Sequence, residues 1–319
     1  MSGSKSICVL GGTGFVGQRI VEYLAKQGHS IKVLARHRER KRDLLVLPTV
    51  KIVSADVHDP QALKEHFTDQ DAVINLVGIL NESGNRTFRK VHVELARKVG
   101  DTCVMKQVPR LLHMSALNAD VNGPSKYLRS KGEAEQYLHN LHDVNVTSFQ
   151  PSVIFGPRDD FFNRFAKLLS IPPRLAPFPL ACAKAKFAPV YVDDVANAFT
   201  KSLNDNRTYG QRYQLCGPKN YTLLELVIYA SNVSGIIKHI VPLGDSASKI
   251  QAKILGMLPG KPFTMDNYLS TTIDSICDEC FPSLFDITPT PIESVVPYYL
   301  GKQALRDRYS QYRKGAHRD

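Results

Sequence analysis

The chain has 319 residues, 43% hydrophobic and 22% charged, an ordinary globular composition with length for one large α/β unit or two lobes. Its apolar runs are all too short for a spanning helix. Residues 1–5 are too short and polar for a signal peptide and lack an Arg-rich transit segment, so a cytoplasmic protein is expected, with a peripheral place at the inner membrane face as the alternative.

The first stretch, Ile7 to Leu10, is an apolar run that predicts a buried strand, followed by Gly11-Gly12-Thr13-Gly14-Phe15-Val16-Gly17 and an amphipathic run at 19–24 that predicts a helix. Gly11, Gly14 and Gly17 are spaced GxxGxxG. A dinucleotide site needs glycine for a tight turn, for close approach to a pyrophosphate and for close helix–strand contact. The helix amides and dipole then favour the phosphate charge. Thr13, Phe15 and Val16 belong to the same loop.

Residues 30–35 predict a second strand with Arg36 at its end. NAD sites usually place an acid there to bond the ribose hydroxyl. An acid would repel a 2′-phosphate, whereas a guanidinium grips one through two parallel hydrogen bonds. Arg36, with Arg38 and Arg40 nearby, favours NADP(H), NAD(H) being the alternative; a solvated basic loop is the bland reading. A third strand, 50–55, closes on Asp56-Val57; residues 60–67 predict a helix with proline in its first turn. Residues 71–78 predict a fourth strand that runs through Asn75-Leu76-Val77-Gly78. A helix is expected over 89–107 and a fifth strand ending at Ser115. This alternation implies a doubly wound parallel sheet of Rossmann type, with ligands beyond the carboxyl ends of its strands. Gly11, Arg36, Asp56 and Gly78 all fall at such ends.

Residues 125–139 predict a long helix on which Tyr127 and Lys131 share one face. An ammonium beside a phenol favours the phenolate and lowers its pKa toward a range useful for proton transfer. Ser115 would offer a hydroxyl to a substrate carbonyl. A surface aromatic–lysine pair is the alternative.

With these residues in view, the sequence resembles the short-chain dehydrogenase/reductase superfamily, extended type. The resemblance implies that Lys131 also bonds the nicotinamide ribose and that residues 150–157, including Pro151 and Val153, lie beside the nicotinamide. It makes Leu76, Val77, Gly78, Asp56 and Val57 cofactor contacts. Residues 190–196 look like the late motif of extended members. A narrower likeness, carried by residues 125–131, 154–165 and 288–293, is to the family of the nucleotide-binding accessory subunit of respiratory complex I and its bacterial relatives. It implies a tightly held NADPH that need not turn over, with complex I or another membrane-associated complex as partner. His92 stands where many active members carry an asparagine of the proton relay. It could relay protons or simply pack, and Tyr127 and Lys131 could serve binding rather than chemistry. A reductase or epimerase using the Tyr-Lys pair is the other function kept open.

Beyond residue 156 the rhythm breaks, so residues 1–156 are expected to form the Rossmann domain and 157–319 a smaller α+β lobe partly interleaved with it. The proline-rich stretch 171–180 excludes regular helix or central strand. Helices are expected over 194–203 and 246–258, and a strand over 211–216. Thr222-Leu223-Leu224-Glu225 fits a capping box, and the helix after it would bury Leu226, Val227, Tyr229 and Ala230. Of six cysteines, Cys8 and Cys216 read as small apolar residues. Cys277 and Cys280 have ligand or redox spacing, but one such pair is a weak zinc signal, and no metal is expected. The net charge of +11 collects at 36–42 and in the tail 302–318. No RNA-binding or helix-turn-helix pattern accompanies it, and nucleic-acid binding is not expected.

Overall fold

Apolar runs of strand length, each followed by an amphipathic run, set the architecture. A computed structural model describes residues 3–36, 42–171, 173, 176–278 and 281–301, with backbone only at 42 and 43. Arg38, Arg40, Cys280 and the basic tail from Lys302 lie outside the described residues.

In chain order the elements are β1 (Ser6–Leu10), α1 (Phe15–Lys26), β2 (Ser30–Ala35), α2 (Arg42–Leu45), β3 (Val50–Ser54), α3 (Pro60–Phe67) and β4 (Ala72–Asn75). A π-helical turn, Arg89–Glu94, then leads into α4 (Leu95–Met105), β5 (Arg110–Met114), α5 (Lys126–His139) and β6 (Asn145–Pro151). There follow β7 (Ile154–Phe155), α6 (Phe162–Leu169), β8 (Phe178–Leu180), β9 (Lys186–Phe187), β10 (Val190–Tyr191), α7 (Val192–Ser202) and β11 (Arg212–Leu215). The last are β12 (Tyr221–Thr222), α8 (Leu223–Ser234), β13 (Ile240–Pro242), α9 (Asp245–Met257), α10 (Met265–Ser270) and α11 (Val296–Leu300).

The chain packs as two compact units. One comprises the described residues of 1–151, 192–215 and 281–287. Its seven strands run β11-β6-β5-β4-β1-β2-β3, and every neighbouring pair is parallel. Strands covered on both faces read as continuous apolar runs, as Ile7 to Leu10 do, all fully buried. The order reverses at β1, between β2 on one side and β4 on the other, which is where a doubly wound sheet opens a crevice. Leu63, Phe67, Val99 and Leu138 pack together in the core of this unit, and α1 is tied to α7 by a two-pronged Arg19–Asp193 pair.

The other unit comprises the described residues of 152–191, 216–278 and 288–301. It has only two-stranded pairings, β7 with β10 and β8 with β13 in parallel and β9 with β12 antiparallel, as its proline content leads one to expect. Phe155, Phe162, Leu226, Ala230, Ile292 and Val296 form one core. Leu226, Val227 and Ala230 are fully buried, while Tyr229 is half-buried. The Thr222–Glu225 capping box is formed. Buried Asp159 accepts from the Gly156 and Asn163 amides at 3.0 Å and from the Tyr299 hydroxyl at 2.6 Å. In this chain, then, part of the segment 154–165 serves to tie the start of α6 to α11.

One expectation is overturned. Cys216 is no lone apolar residue; it is disulfide-bonded to Cys277. Two cysteines 61 positions apart carry no pairing signal in the sequence. Among the described residues no helix is long and apolar enough to cross a membrane, and no group of His, Cys, Asp and Glu could hold a metal ion.

A cross-link closing 61 residues removes roughly 4 kcal/mol of unfolded-chain entropy. Cys277→Ser is expected to lower unfolding stability in urea by about that amount, and reductant to do the same to the wild type. Unchanged stability in both would mean that the bond does not form in solution.

Candidate functional site

The turn from β1 to α1 is built on three glycines with three different constraints. Gly11 has φ +78°, and a Cβ there would lie 3.0 Å from the Leu76 carbonyl carbon and 3.2 Å from the Val77 nitrogen. A Cβ at Gly17 would meet the Gly11 carbonyl oxygen at 2.3 Å, which no side chain tolerates. Gly14 is exposed, and a Cβ there would meet only the Gly11 carbonyl oxygen, at 3.2 Å. It is the N-cap of α1, with no capping side chain and no acid in the first turn. The first helical amides, on Phe15, Val16 and Gly17, therefore sit at an uncompensated positive helix end. The Thr13 carbonyl accepts from the Gln18 side-chain Nε2 at 3.2 Å.

Arg36 is exposed immediately after β2. The Ser54 hydroxyl approaches its carbonyl at 3.5 Å, so the tips of β2 and β3 are joined there. Asp56 accepts from the His58 amide at 3.0 Å, and Val57 packs on the core beside it. Burial holds His58 below the usual histidine range, and although Asp56 opposes the shift, Lys98, Lys90 and Arg36 add to it. Three cations bear on this corner, which suits an anionic group.

At the far side of β1 the polar groups are interior. Lys131 is buried and donates to the Met114 carbonyl at 2.9 Å. Burial pushes it down to about 8. A Cβ at Gly78 would lie 3.3 Å from the Lys131 Nζ and 3.6 Å from the His92 Nε2. Tyr127 is half-buried, its ring 5.7 Å from that of His92 and 5.8 Å from that of Phe88. Ser115, next to Met114, is buried with its Oγ unpartnered. His113 has no partner on Nε2 and faces Asn75 at 3.4 Å on Nδ1. Burial, then the charge of Lys131, keeps His113 and His92 neutral, with His92 at about 2.

One unit thus brings together Gly11, Gly14, Gly17, Leu76, Val77, Gly78, Ser115, Tyr127 and Lys131, with Arg36, Asp56 and Val57 on the adjoining strand tips. Pro151 ends β6, where its carbonyl accepts from the Leu117 amide at 3.0 Å. Val153 falls in the other unit, its carbonyl taking the Val190 amide at 3.0 Å. The residues present fit a dinucleotide. An uncapped helix start faces an open glycine, and a buried hydroxyl at the end of β5 lacks a protein partner. Sequence reasoning missed His113, two residues before Ser115 on the same strand face, and Ser130, three after Tyr127. It also missed the π turn: an ordinary helix was expected from 89, but Val91, His92 and Val93 are buried in succession.

A family model described as NAD(P)H-binding matches residues 11–158. The mitochondrial 40 kDa subunit of NADH-ubiquinone oxidoreductase from Neurospora crassa is 30% identical over 227 residues, 70% of this chain and 59% of that protein. The chain therefore spans little more than half of that relative. Subunit 9 of the NADH dehydrogenase [ubiquinone] 1 alpha subcomplex from Mus musculus is 29% identical over 298 residues, 89% of this chain and 77% of that protein. Among solved structures, the NADPH-dependent quinone oxidoreductase QOR2 of Escherichia coli in complex with NADPH superposes with a TM-score of 0.72 at 20% identity, covering 91% of this chain and 98% of that one. At that identity it speaks for the fold alone.

Lys131 titrates near 8 when folded and near 10.5 when unfolded. Between those values the unfolded chain binds the extra proton, so this lysine makes stability rise with pH. The stability of the wild type relative to Lys131→Met is expected to climb by on the order of 3 kcal/mol across that window. A pH-independent difference would show that the lysine is hydrated.

Proposed function

We propose that this chain, similar to NAD(P)H-binding proteins and to the complex I subunits named above, is of the atypical short-chain dehydrogenase/reductase type and holds NADP(H) as a mainly structural cofactor within a larger assembly. The observation that carries the reading is a positive, uncapped helix start over an open glycine, with the Arg36 guanidinium at the neighbouring strand tip. The phosphate loop, Gly11 to Gly17, takes the diphosphate on backbone amides. Arg36 takes the 2′-phosphate, and Asp56 and Val57 border the adenine. Leu76, Val77, Gly78, Tyr127 and Lys131 line the nicotinamide ribose, with Pro151 toward the ring.

A structural rather than a turning-over role is favoured at His92, where the proton relay of many active relatives has an asparagine. Both of its ring nitrogens are engaged within the protein. The partner is a protein surface of a respiratory-complex type. Two relatives bear the names of complex I subunits, and α9 carries Ile250, Ile254 and Met257 on one exposed face, with Leu258 just beyond, opposite buried Ser248 and Ala252. A stripe at i, i+4, i+7 suits a groove in another protein. The buried, unpartnered Ser115 hydroxyl favours a second reading, a reductase in which Tyr127 is the general acid, Lys131 tunes it and Ser115 polarises a carbonyl.

Extraction and mass analysis of purified protein are expected to yield NADP(H). Arg36→Asp is expected to weaken NADPH by roughly tenfold or more while sparing NADH, since a charge-assisted pair to phosphate is lost and repulsion added. Equal loss of both would remove Arg36 from the phosphate site. Ile254→Glu is expected to leave nucleotide content unchanged and to abolish retention in the parent complex. NADPH oxidation across a panel of carbonyl compounds, abolished by Tyr127→Phe, would instead establish the reductase.

A further inference from the structure

The π-helical turn at Arg89–Glu94 aims His92 inward. Such turns are rare, appear mostly as single-turn bulges within α-helices and are frequent at functional sites. The His92 ring stacks on Phe88 at 5.5 Å and meets Tyr127 edge-on at 5.7 Å, so packing explains where the ring lies. Packing does not explain its polar contacts.

The Ile79 amide donates to the His92 Nε2 at 3.1 Å. A nitrogen that accepts carries no proton, so the neutral ring bears its hydrogen on Nδ1. That nitrogen lies 2.8 Å from the Ser130 Oγ. The Ser130 proton is itself given to the Tyr127 carbonyl, also at 2.8 Å. The directions are therefore fixed: Ile79 N–H to imidazole, imidazole N–H to Ser130, Ser130 O–H to Tyr127. Each donor is used once. The chain starts at the turn after β4, one residue beyond Gly78, and ends on the first turn of α5, which carries Tyr127 and, four residues on, Lys131.

We propose that His92 is a positioning residue of the nucleotide site: it bolts the Gly78–Ile79 turn to the Tyr127 turn of α5, and so sets the gap in which the nicotinamide half of the dinucleotide rests. The tight approach of Gly78 to the Lys131 Nζ and the His92 Nε2 places all three at one point. Because its Nε2 faces a backbone amide, which gives up no proton, His92 holds the site's shape and passes no proton. Burial beside Lys131 keeps the ring neutral, as the Ile79 bond requires; a protonated ring would meet the amide donor with a donor. This inference rests on the reading that the protein binds NADP(H).

The test uses two probes, NADPH and adenosine 2′,5′-bisphosphate, which lacks the nicotinamide half. Each is titrated into the wild type, His92→Phe, His92→Gln and Ser130→Ala, with melting temperature as the control. Phenylalanine keeps the ring packing and removes both polar bonds, whereas glutamine keeps an acceptor and a donor. His92→Phe is expected to weaken NADPH roughly tenfold, the worth of one or two buried hydrogen bonds, and to leave the bisphosphate fragment unchanged. His92→Gln should recover most of the loss, and Ser130→Ala should lose a smaller part with the same selectivity. A His92→Phe variant that melts as the wild type does and binds NADPH equally well would reduce His92 to packing. Equal loss of both probes would also overturn the proposal, since it signals general damage. If His92→Phe does not fold, unchanged NADPH binding by Ser130→Ala overturns it alone. A wild type that binds neither probe would instead remove the nucleotide reading, and this inference with it.

Discussion

The closeness of α1 to the end of β1 is the constraint on which the rest depends. Gly17 passes so near Gly11 and Gly12 that a single added carbon would stand 2.3 Å from one backbone atom and 2.6 Å from another. That approach points the start of α1 at the crevice where the strand order reverses, with nothing capping it. Helix ends inside a protein usually have such groups satisfied. Leaving them open is a cost to the free chain that an anionic ligand offsets, and the neighbouring strand tips supply matching charge through Arg36. The Leu76–Val77 backbone closes the loop from the other side, so the mouth of β1 is bounded by backbone rather than by mobile side chains.

The second feature is a buried ammonium close to two neutral histidines, with the Glu135 carboxylate opposing the shift that burial imposes on it. Lys131 is inside, with Met114 carbonyl oxygen as its acceptor and His92 and His113 close enough to feel its charge. Each histidine is driven below its usual range by burial first and by the lysine second. Removing that cation from water costs less when a sugar hydroxyl or phosphate joins it than when it faces only carbonyl oxygen. Ligand binding and the charge state of Lys131 are therefore coupled through the same desolvation.

Much of this was legible in the sequence because it rests on local rules. The glycine spacing, the strand–turn–helix context and the i, i+4 placement of Tyr127 and Lys131 are short-range patterns, and each describes a backbone geometry with few alternatives. The Thr222–Glu225 cap was legible for the same reason. What escaped were features decided by tertiary contact. The Cys216–Cys277 bond joins residues 61 apart. The π turn at Arg89 reflects the need to bury three successive residues, which helix periodicity argues against. The Asp159–Tyr299 contact spans 140 positions, and nothing at either end marks it. His92 was visible as a departure from its relatives, yet its role could not be read until Ile79 and Ser130 were seen on its two nitrogens.

The central claim is that backbone amides at the head of α1 hold a dinucleotide's diphosphate, and amide-resolved NMR of the uniformly labelled protein tests it most directly. On adding NADPH, the amide signals of Phe15, Val16 and Gly17 are expected to move furthest downfield, with smaller shifts at Gly78 and Ile79. If NADPH binds while the signals of Phe15, Val16 and Gly17 stay where they were, the diphosphate lies elsewhere and the glycine turn is not its cradle.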